Sequence, residues 1–269
     1  MIVTEKFVFI HLHKSGGTFL NKVISTLFPT AKEIGYHYPM SMIPQEYRHL
    51  PVLGVVRNPW DFYVSYYAFQ QYHIAQAETI IGNLSKKEYQ LLVEKGIDFR
   101  ERVDVLFDEM SNKGTLDFHE TTTNLLNLGT PTGKLDKLLE LMPTELGRKH
   151  KFSTRQTEGG RGLNITQNAL ESIRGTEDGF YTFLWKQMYG TGEGVYFAKM
   201  ENLRQDFIAF LLGLGIDVNQ DIQYLILSAH PENVSKHQHY SSYYTPELET
   251  LVRQRDSFLV NRFGFDFLK

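Results

Sequence analysis

Hydrophobic positions gather into three short continuous runs, each followed by a stretch with helical spacing. The first run, FVFIHL (Phe7 to Leu12), precedes Phe19, Leu20, Val23, Ile24, Leu27 and Phe28, apolar pairs four apart that mark a helix with one buried face. The second, PVLGVV (Pro51 to Val56), is continuously apolar, as a strand inside a parallel sheet is. It ends at Arg57, and Asn58-Pro59 then supply an N-cap and a first-turn proline for the next helix. The third, GVYFAKM (Gly194 to Met200), leads into ENLRQDFIAFLLGLGI, a helix closed by Gly213 or Gly215. Buried strands alternating with helices predict an α/β protein, a parallel, doubly wound sheet flanked by helices.

Between Gln71 and Glu193 this alternation stops. LSKKEYQLLVEKGIDFRERVDVLFDEM is helical, with Ser85 and Glu88 at capping-box spacing, and TQNALESI and GFYTFLWKQMY are further helical segments. Between the first of these and the others lies the basic, glycine-rich GRKHKFSTRQTEGGRGL, which reads as a loop. Residues 71–193 are expected to form a helical insertion or lid on one domain spanning residues 1–269. The tail, TPELETLVRQRDSFLVNRFGFDF, reads as one helix opened by Thr245 and Pro246 and ended near Gly264.

Composition narrows the function classes. The 269 residues are 42% hydrophobic and 22% charged, ordinary for a globular protein, with a net charge of −3 that argues against bulk polyanion binding such as nucleic acid. The absence of cysteine excludes disulfides, thiolate metal sites and a cysteine nucleophile. No leader-like segment opens the chain, and its longest apolar run, FIAFLLGLGI, is too short to span a bilayer, so a cytoplasmic protein without a membrane span is the expectation.

The candidate chemistry starts where the first strand meets its helix, at HLHKSGGT. A strand-to-helix loop offers unpaired N–H groups and the positive end of the helix dipole, and glycines let the backbone close around an anion. Lys14, Ser15, Gly16, Gly17 and Thr18 together exceed what a plain turn needs. The triphosphatase loop places lysine after its glycines, next to a magnesium-binding hydroxyl; here lysine precedes them. The second strand ends in Arg57 rather than an acidic residue, so the pattern suits an anion held without a metal.

FIHLHKSGGTFL resembles the 5′-phosphosulfate loop of the sulfotransferases, and VVRNPWDFYVSYY resembles their 3′-phosphate motif. FAKMENL is similar to the strand of that family that ends in E-[DN]-L, and NVSKHQHYSSYYTPELETLV with FGFDF is similar to its carboxy-terminal segment. The pattern is nearest to the glycan-modifying branch and its bacterial relatives, and it covers the two ends of the chain but hardly the middle. The resemblance implies a sulfotransferase fold and 3′-phosphoadenosine 5′-phosphosulfate as donor, with no metal. Lys14 and the N–H groups of Ser15, Gly16, Gly17 and Thr18 would hold the 5′-phosphosulfate, and Arg57 and Ser65 the 3′-phosphate. His13 stands where the family has proline, a departure that leaves the loop less rigid or gives His13 a local role.

Sulfuryl transfer to a hydroxyl needs a base, and His37 in EIGYHYPM resembles the base position of the glycan sulfotransferases. Lys14 would stabilise charge on the departing oxygen. Glu201 is the alternative base, or else orients Lys14 or caps the following helix; Lys236 is either a phosphate ligand or a solvated lysine. His11 is read as a strand residue under the loop. His230, His237 and His239 lack a fourth ligand at metal-site spacing. Lys149, Lys151, Arg155 and Arg161 form a solvated basic loop or bind an anionic acceptor. Tyr66, Tyr67, Phe69, Tyr181 and Trp185 form core or line an acceptor cleft, and residues 71–193 would define the acceptor (a glycan, lipid or small alcohol). Two rivals stay open: a nucleotide kinase or triphosphatase with an aberrant phosphate loop, and a catalytically silent nucleotide-binding protein of the same fold.

Overall fold

The computed structural model describes residues 1–95, 104–144, 164–231 and 237–268. Its centre is a five-stranded sheet in the order β3-β1-β2-β4-β5, formed by β1 (Ile2–Val3), β2 (Val8–Phe9), β3 (Lys32–Glu33), β4 (Val52–Val56) and β5 (Val195–Lys199). The three apolar runs supply β2, β4 and β5, which are parallel to one another. The sheet as a whole is mixed rather than parallel, because β1 runs antiparallel to both β2 and β3. Thr4 turns the chain back: its hydroxyl donates to Phe7 O and accepts from Phe7 N–H, each at 2.9 Å. Two-residue strands such as β1 and β3 carry no period that a sequence could display.

Burial follows position in the sheet. All five residues of central β4 are buried, whereas in edge strand β5 only Ala198 is, and Tyr196 is exposed. β2 is formally two residues long, yet Phe7 to Leu12 are all buried and Ile10 N–H still donates to Leu53 O at 2.9 Å. Beyond that bond β2 and β4 part company.

Twelve α-helices occur among the described residues. α1 (Gly17–Leu27) follows β2, with Phe19, Leu20, Val23 and Ile24 buried as the pairing predicts. α2 (Pro59–Gly82) follows β4; Asn58 Oδ1 accepts from Trp60 N–H at 3.0 Å, with Pro59 in the first turn. From residue 71 to 193 the described elements are the rest of α2 and then α3 (Lys86–Glu94), α4 (Val105–Met110), α5 (Phe118–Leu126), α6 (Leu135–Leu139), α7 (Gln167–Glu171) and α8 (Phe180–Tyr189). The Ser85–Glu88 capping box opens α3, Glu88 Oε2 accepting from Ser85 N–H at 2.9 Å. The basic loop with Lys149, Lys151, Arg155 and Arg161 lies outside the described residues, as does Lys236.

α8 belongs to the main core rather than to its surroundings: Tyr181, Trp185 and Tyr189 are each at most 2% exposed. Its two tyrosines complete the sheet where β2 leaves it. The Tyr189 hydroxyl accepts from Val55 N–H at 3.0 Å, and the Tyr181 hydroxyl accepts from Arg57 N–H at 2.8 Å. A buried N–H without a partner costs free energy, so these hydroxyls let the parallel strands diverge and open a crevice at their carboxyl ends.

α9 (Leu203–Gly213) and α10 (Gln220–Ser228) follow β5. Gly215, with φ 72°, closes α9: Ile216 N–H reaches Leu211 O and Gly215 N–H reaches Leu212 O, satisfying its last carbonyls. The tail is two helices instead of one, α11 (Pro246–Arg255) and α12 (Ser257–Phe263), broken at Asp256. That residue is fully buried; its carboxylate accepts from Thr182 N–H and from the Tyr63 hydroxyl, both at 2.8 Å, locking the tail to α8 and α2. No described helix is long and apolar enough to cross a membrane.

Asp256→Ala should destabilise the protein by about 2–5 kcal/mol in urea unfolding, because it strands a buried N–H and a buried hydroxyl. Asp256→Asn, which can still accept from Thr182, should cost clearly less.

Candidate functional site

The loop between β2 and α1 bends through two left-handed residues, Lys14 (φ 53°) and Gly16 (φ 80°). Gly16 caps α1 and lies against the exit of β5; a Cβ there would stand 2.5 Å from Met200 Sδ. Gly17 has a different reason to be glycine. A Cβ at that position would sit 1.9 Å from Cδ2 of His11, whose ring lies under the loop. The second glycine is therefore required by packing whether or not an anion is bound.

Arg57, at the end of β4, reaches across to this loop. Its Nη1 donates to Lys14 O at 2.8 Å and its Nε to Asp61 Oδ2 at 2.7 Å. Below, Ser15 is fully buried, and its hydroxyl donates to His13 O at 3.1 Å. The proton in the 3.4 Å contact between Ser15 Oγ and the Tyr181 hydroxyl is thus the tyrosine's. Tyr181 touches both loops at once.

The Lys14 ammonium lies 3.8 Å from the centroid of the Phe69 ring, a cation–π contact in a poorly hydrated place. Desolvation, then repulsion by Arg57, lowers its pKa to about 7, against some attraction from Asp104. Asp104 is buried, whereas Lys14 is half-buried; Asp104 is bonded by Gln70 Nε2 and, at 3.2 Å, by the Tyr66 hydroxyl, and desolvation raises its carboxyl to about 7 in spite of those bonds.

His37 is brought to the same loop. Its Nδ1 lies 2.8 Å from His11 O, and since a carbonyl only accepts, Nδ1 carries the proton and Nε2 the lone pair. The His37 ring stacks on His13, with centroids 3.6 Å apart and planes 16° apart. Enclosure first, then the neighbouring His13 and His11, hold the pKa of His37 well below the ordinary histidine value. His37 is itself left-handed, with φ 55°. Thr18, in the first turn of α1, places its hydroxyl 3.4 Å from that of Tyr36, the residue before His37.

Lys14, Ser15, Gly16, Gly17, Thr18, Arg57 and His37 are thus gathered at the carboxyl ends of β2 and β4. Ser65, in α2, is only 2% exposed, so an anion reaching its hydroxyl would have to displace what covers it. Glu201 follows β5, and its Oε1 accepts from Asn58 N–H at 2.8 Å, which holds the start of α2. Of the aromatic residues weighed as cleft walls or core, Tyr66, Tyr181 and Trp185 are buried, and Phe69 is half-buried under Lys14. Asp104 carried no motif in RVDVLF and could not be singled out; its signal is wholly spatial. Among the described residues no group of three or more His, Asp or Glu side chains is arranged to hold a metal ion.

Comparison with protein-family models finds no match to this chain, and no curated protein or solved structure matches it.

The arrangement can bind an anion and move protons. Above pH 7 much of Lys14 is neutral; a bound anion favours the ammonium and raises its pKa, so binding takes up a proton. Sulfate, which does not titrate in this range, should bind with measurable proton uptake at pH 8 and less at pH 6, where Lys14 is already charged. Calorimetry in buffers of different ionisation enthalpy reads this, and Lys14→Met should abolish most of the uptake.

Proposed function

We propose that the chain is a sulfotransferase that moves the sulfuryl group of 3′-phosphoadenosine 5′-phosphosulfate to a hydroxyl. The observation that carries this reading is the bond from Arg57 to Lys14 O, which joins the two sequence motifs, 43 residues apart, into one crevice. The residues suit such a donor. Lys14 is a cation whose ammonium meets an aromatic ring, and the start of a helix offers N–H groups that have no partner within the helix. The strand–loop–helix is accordingly read as a 5′-phosphosulfate loop, with Arg57, and Ser65 after local opening, at the 3′-phosphate.

In the proposed reaction the acceptor oxygen bonds to sulfur as the bond from sulfur to the bridging oxygen breaks, and that oxygen leaves with the nucleotide. Lys14 stabilises the charge growing on it. Nε2 of His37, neutral and with its lone pair available, takes the acceptor proton. The bond from Nδ1 to His11 O fixes that tautomer and supports the imidazolium that results. Three of the five described non-glycine residues with positive φ, Lys14, His37 and Asn164, lie at or beside this crevice. Such conformations cost of the order of 1–3 kcal/mol each and collect at functional sites.

The desulfated nucleotide, 3′-phosphoadenosine 5′-phosphate, should stabilise the protein without divalent metal, by about 2.7 kcal/mol at a hundredfold excess over Kd. Arg57→Ala should lose most of this, whereas Asp61→Asn, which leaves the guanidinium in place, should retain it. An unshifted melt, or a strict need for magnesium as a triphosphatase would show, sinks the donor assignment.

His37→Ala should lower turnover by about a hundredfold or more with nucleotide binding intact. The acid limb of the wild-type rate should lie below the ordinary histidine range of about 6.5, because the His37 pKa is depressed. Lys14→Ala should lower turnover more than donor affinity; a raised KM with unchanged kcat would make Lys14 a binding residue only.

A further inference from the structure

Beside the crevice lies a pocket of about 200 Å³. Its walls come from the segment that carries His37 (Pro39, Ser41, Met42), from the start of α7 with Asn164 and Ile165 before it, and from α8. His13 closes it on the loop side, the same His13 that stacks on His37. On α8, Leu184 and Met188 line the pocket and follow Tyr181 at helical spacings of three and seven, so the helix face that touches the anion loop also forms this wall. At 1.5 Å per residue those positions lie about 5–10 Å along the helix from the Tyr181 contact. The pocket and the anion loop are thus neighbours, joined through His13, α8 and the His37 segment.

Its chemistry is distinct from that of the loop. Met42, Ile165, Leu184 and Met188 are apolar; Ser41, Asn164 and Gln187 are polar and neutral. None of the described residues lining it is Lys, Arg, Asp or Glu. Against these described residues a carboxylate or sulfate would be desolvated with no countercharge from them, which is unfavourable. A cavity of about 150 Å³ admits a benzene-sized ring, so this one accepts a single ring with a short substituent.

Resting on the sulfotransferase reading, we infer that this pocket is the acceptor subsite and that it takes a small, uncharged, ring-sized alcohol rather than an anionic glycan. The ring lies among Met42, Ile165, Leu184 and Met188, with its hydroxyl toward the His13–His37 stack. Neutral side chains at Ser41, Asn164 and Gln187 leave room for a polar ring substituent but not for an acidic one.

The test pairs benzyl alcohol with 4-(hydroxymethyl)benzoate, the same alcohol bearing a carboxylate, in transfer assays with the sulfuryl donor. The wild type should use benzyl alcohol with at least a tenfold higher kcat/KM. Ala169→Trp, which fills the pocket from α7, should raise KM for benzyl alcohol at least tenfold while KM for donor stays unchanged. Gln187→Lys supplies the missing countercharge and should narrow the preference at least fivefold, a gain that misfolding cannot mimic. Saturation-transfer NMR follows benzyl alcohol without donor, and its signal should vanish in Ala169→Trp. Equal use of the two alcohols, or an unchanged KM in Ala169→Trp, overturns the inference while the donor reading stands. Failure of the desulfated nucleotide to bind the wild type overturns the donor reading itself, and with it the acceptor role, even if benzyl alcohol still saturates the pocket.

Discussion

The bond from the Arg57 guanidinium to the carbonyl of Lys14 is the constraint on which the crevice depends. It spans the gap that opens where β2 and β4 diverge, and it sets the loop before α1 at a fixed height above the end of β4. Asp61 holds the other side of the guanidinium, one turn into α2, so the arginine is oriented before any ligand arrives. From below, Tyr181 bonds to Arg57 N–H and touches Ser15, giving both loops one buried support. Strand end, anion loop and helix α8 are therefore tied to one another by direct contacts.

This arrangement has an electrostatic consequence. Two cationic side chains, Lys14 and Arg57, are drawn to one place, and water is partly replaced by the Phe69 ring and the helix layer. The repulsion is relieved in part by Asp104 and in part by lowering the pKa of Lys14 to about 7. A site in this state gains most from a ligand that brings negative charge of its own. Its neighbour is the opposite case: among its described lining residues, the pocket walled by α7, α8 and the His37 segment has no Lys, Arg, Asp or Glu. A charged half and an uncharged half, meeting at stacked imidazoles, suit a reaction between an anionic donor and a neutral alcohol.

Much of this was legible in the chain. Three apolar runs located β2, β4 and β5: β2 and β4 are interior strands buried on both faces and so continuously apolar, whereas β5, at the edge and with only Ala198 buried, was marked by its run and by the helix that follows it. Asn58-Pro59, Ser85 with Glu88, and Gly215 marked helix ends through local hydrogen bonds that need only a few neighbouring residues. Lys14 through Thr18 and Arg57 could be picked out as chemistry-bearing, since their residue types exceed the needs of a turn and a strand end, while His37 was singled out only through its resemblance to a base position of the glycan sulfotransferases. The antiparallel β1 and β3 were not legible, being two residues each, nor was the break at Asp256, which answers to partners on α2 and α8.

The sequence by itself determined local items: the three longer strands and the helices that follow them, several helix ends, and that one loop has the composition of an anion binder. Those follow from periodicity and from bonds a few residues long. Only the tertiary structure decided that Gly17 makes room for His11, that Glu201 holds Asn58, that Ser65 is enclosed, and that Tyr181 and Asp104 belong to the crevice. It also decided that α8 is a wall of the core shared by loop and pocket. Each of these joins residues far apart in the chain, and desolvation, charge repulsion and steric exclusion act through space with no trace in the spacing of residues.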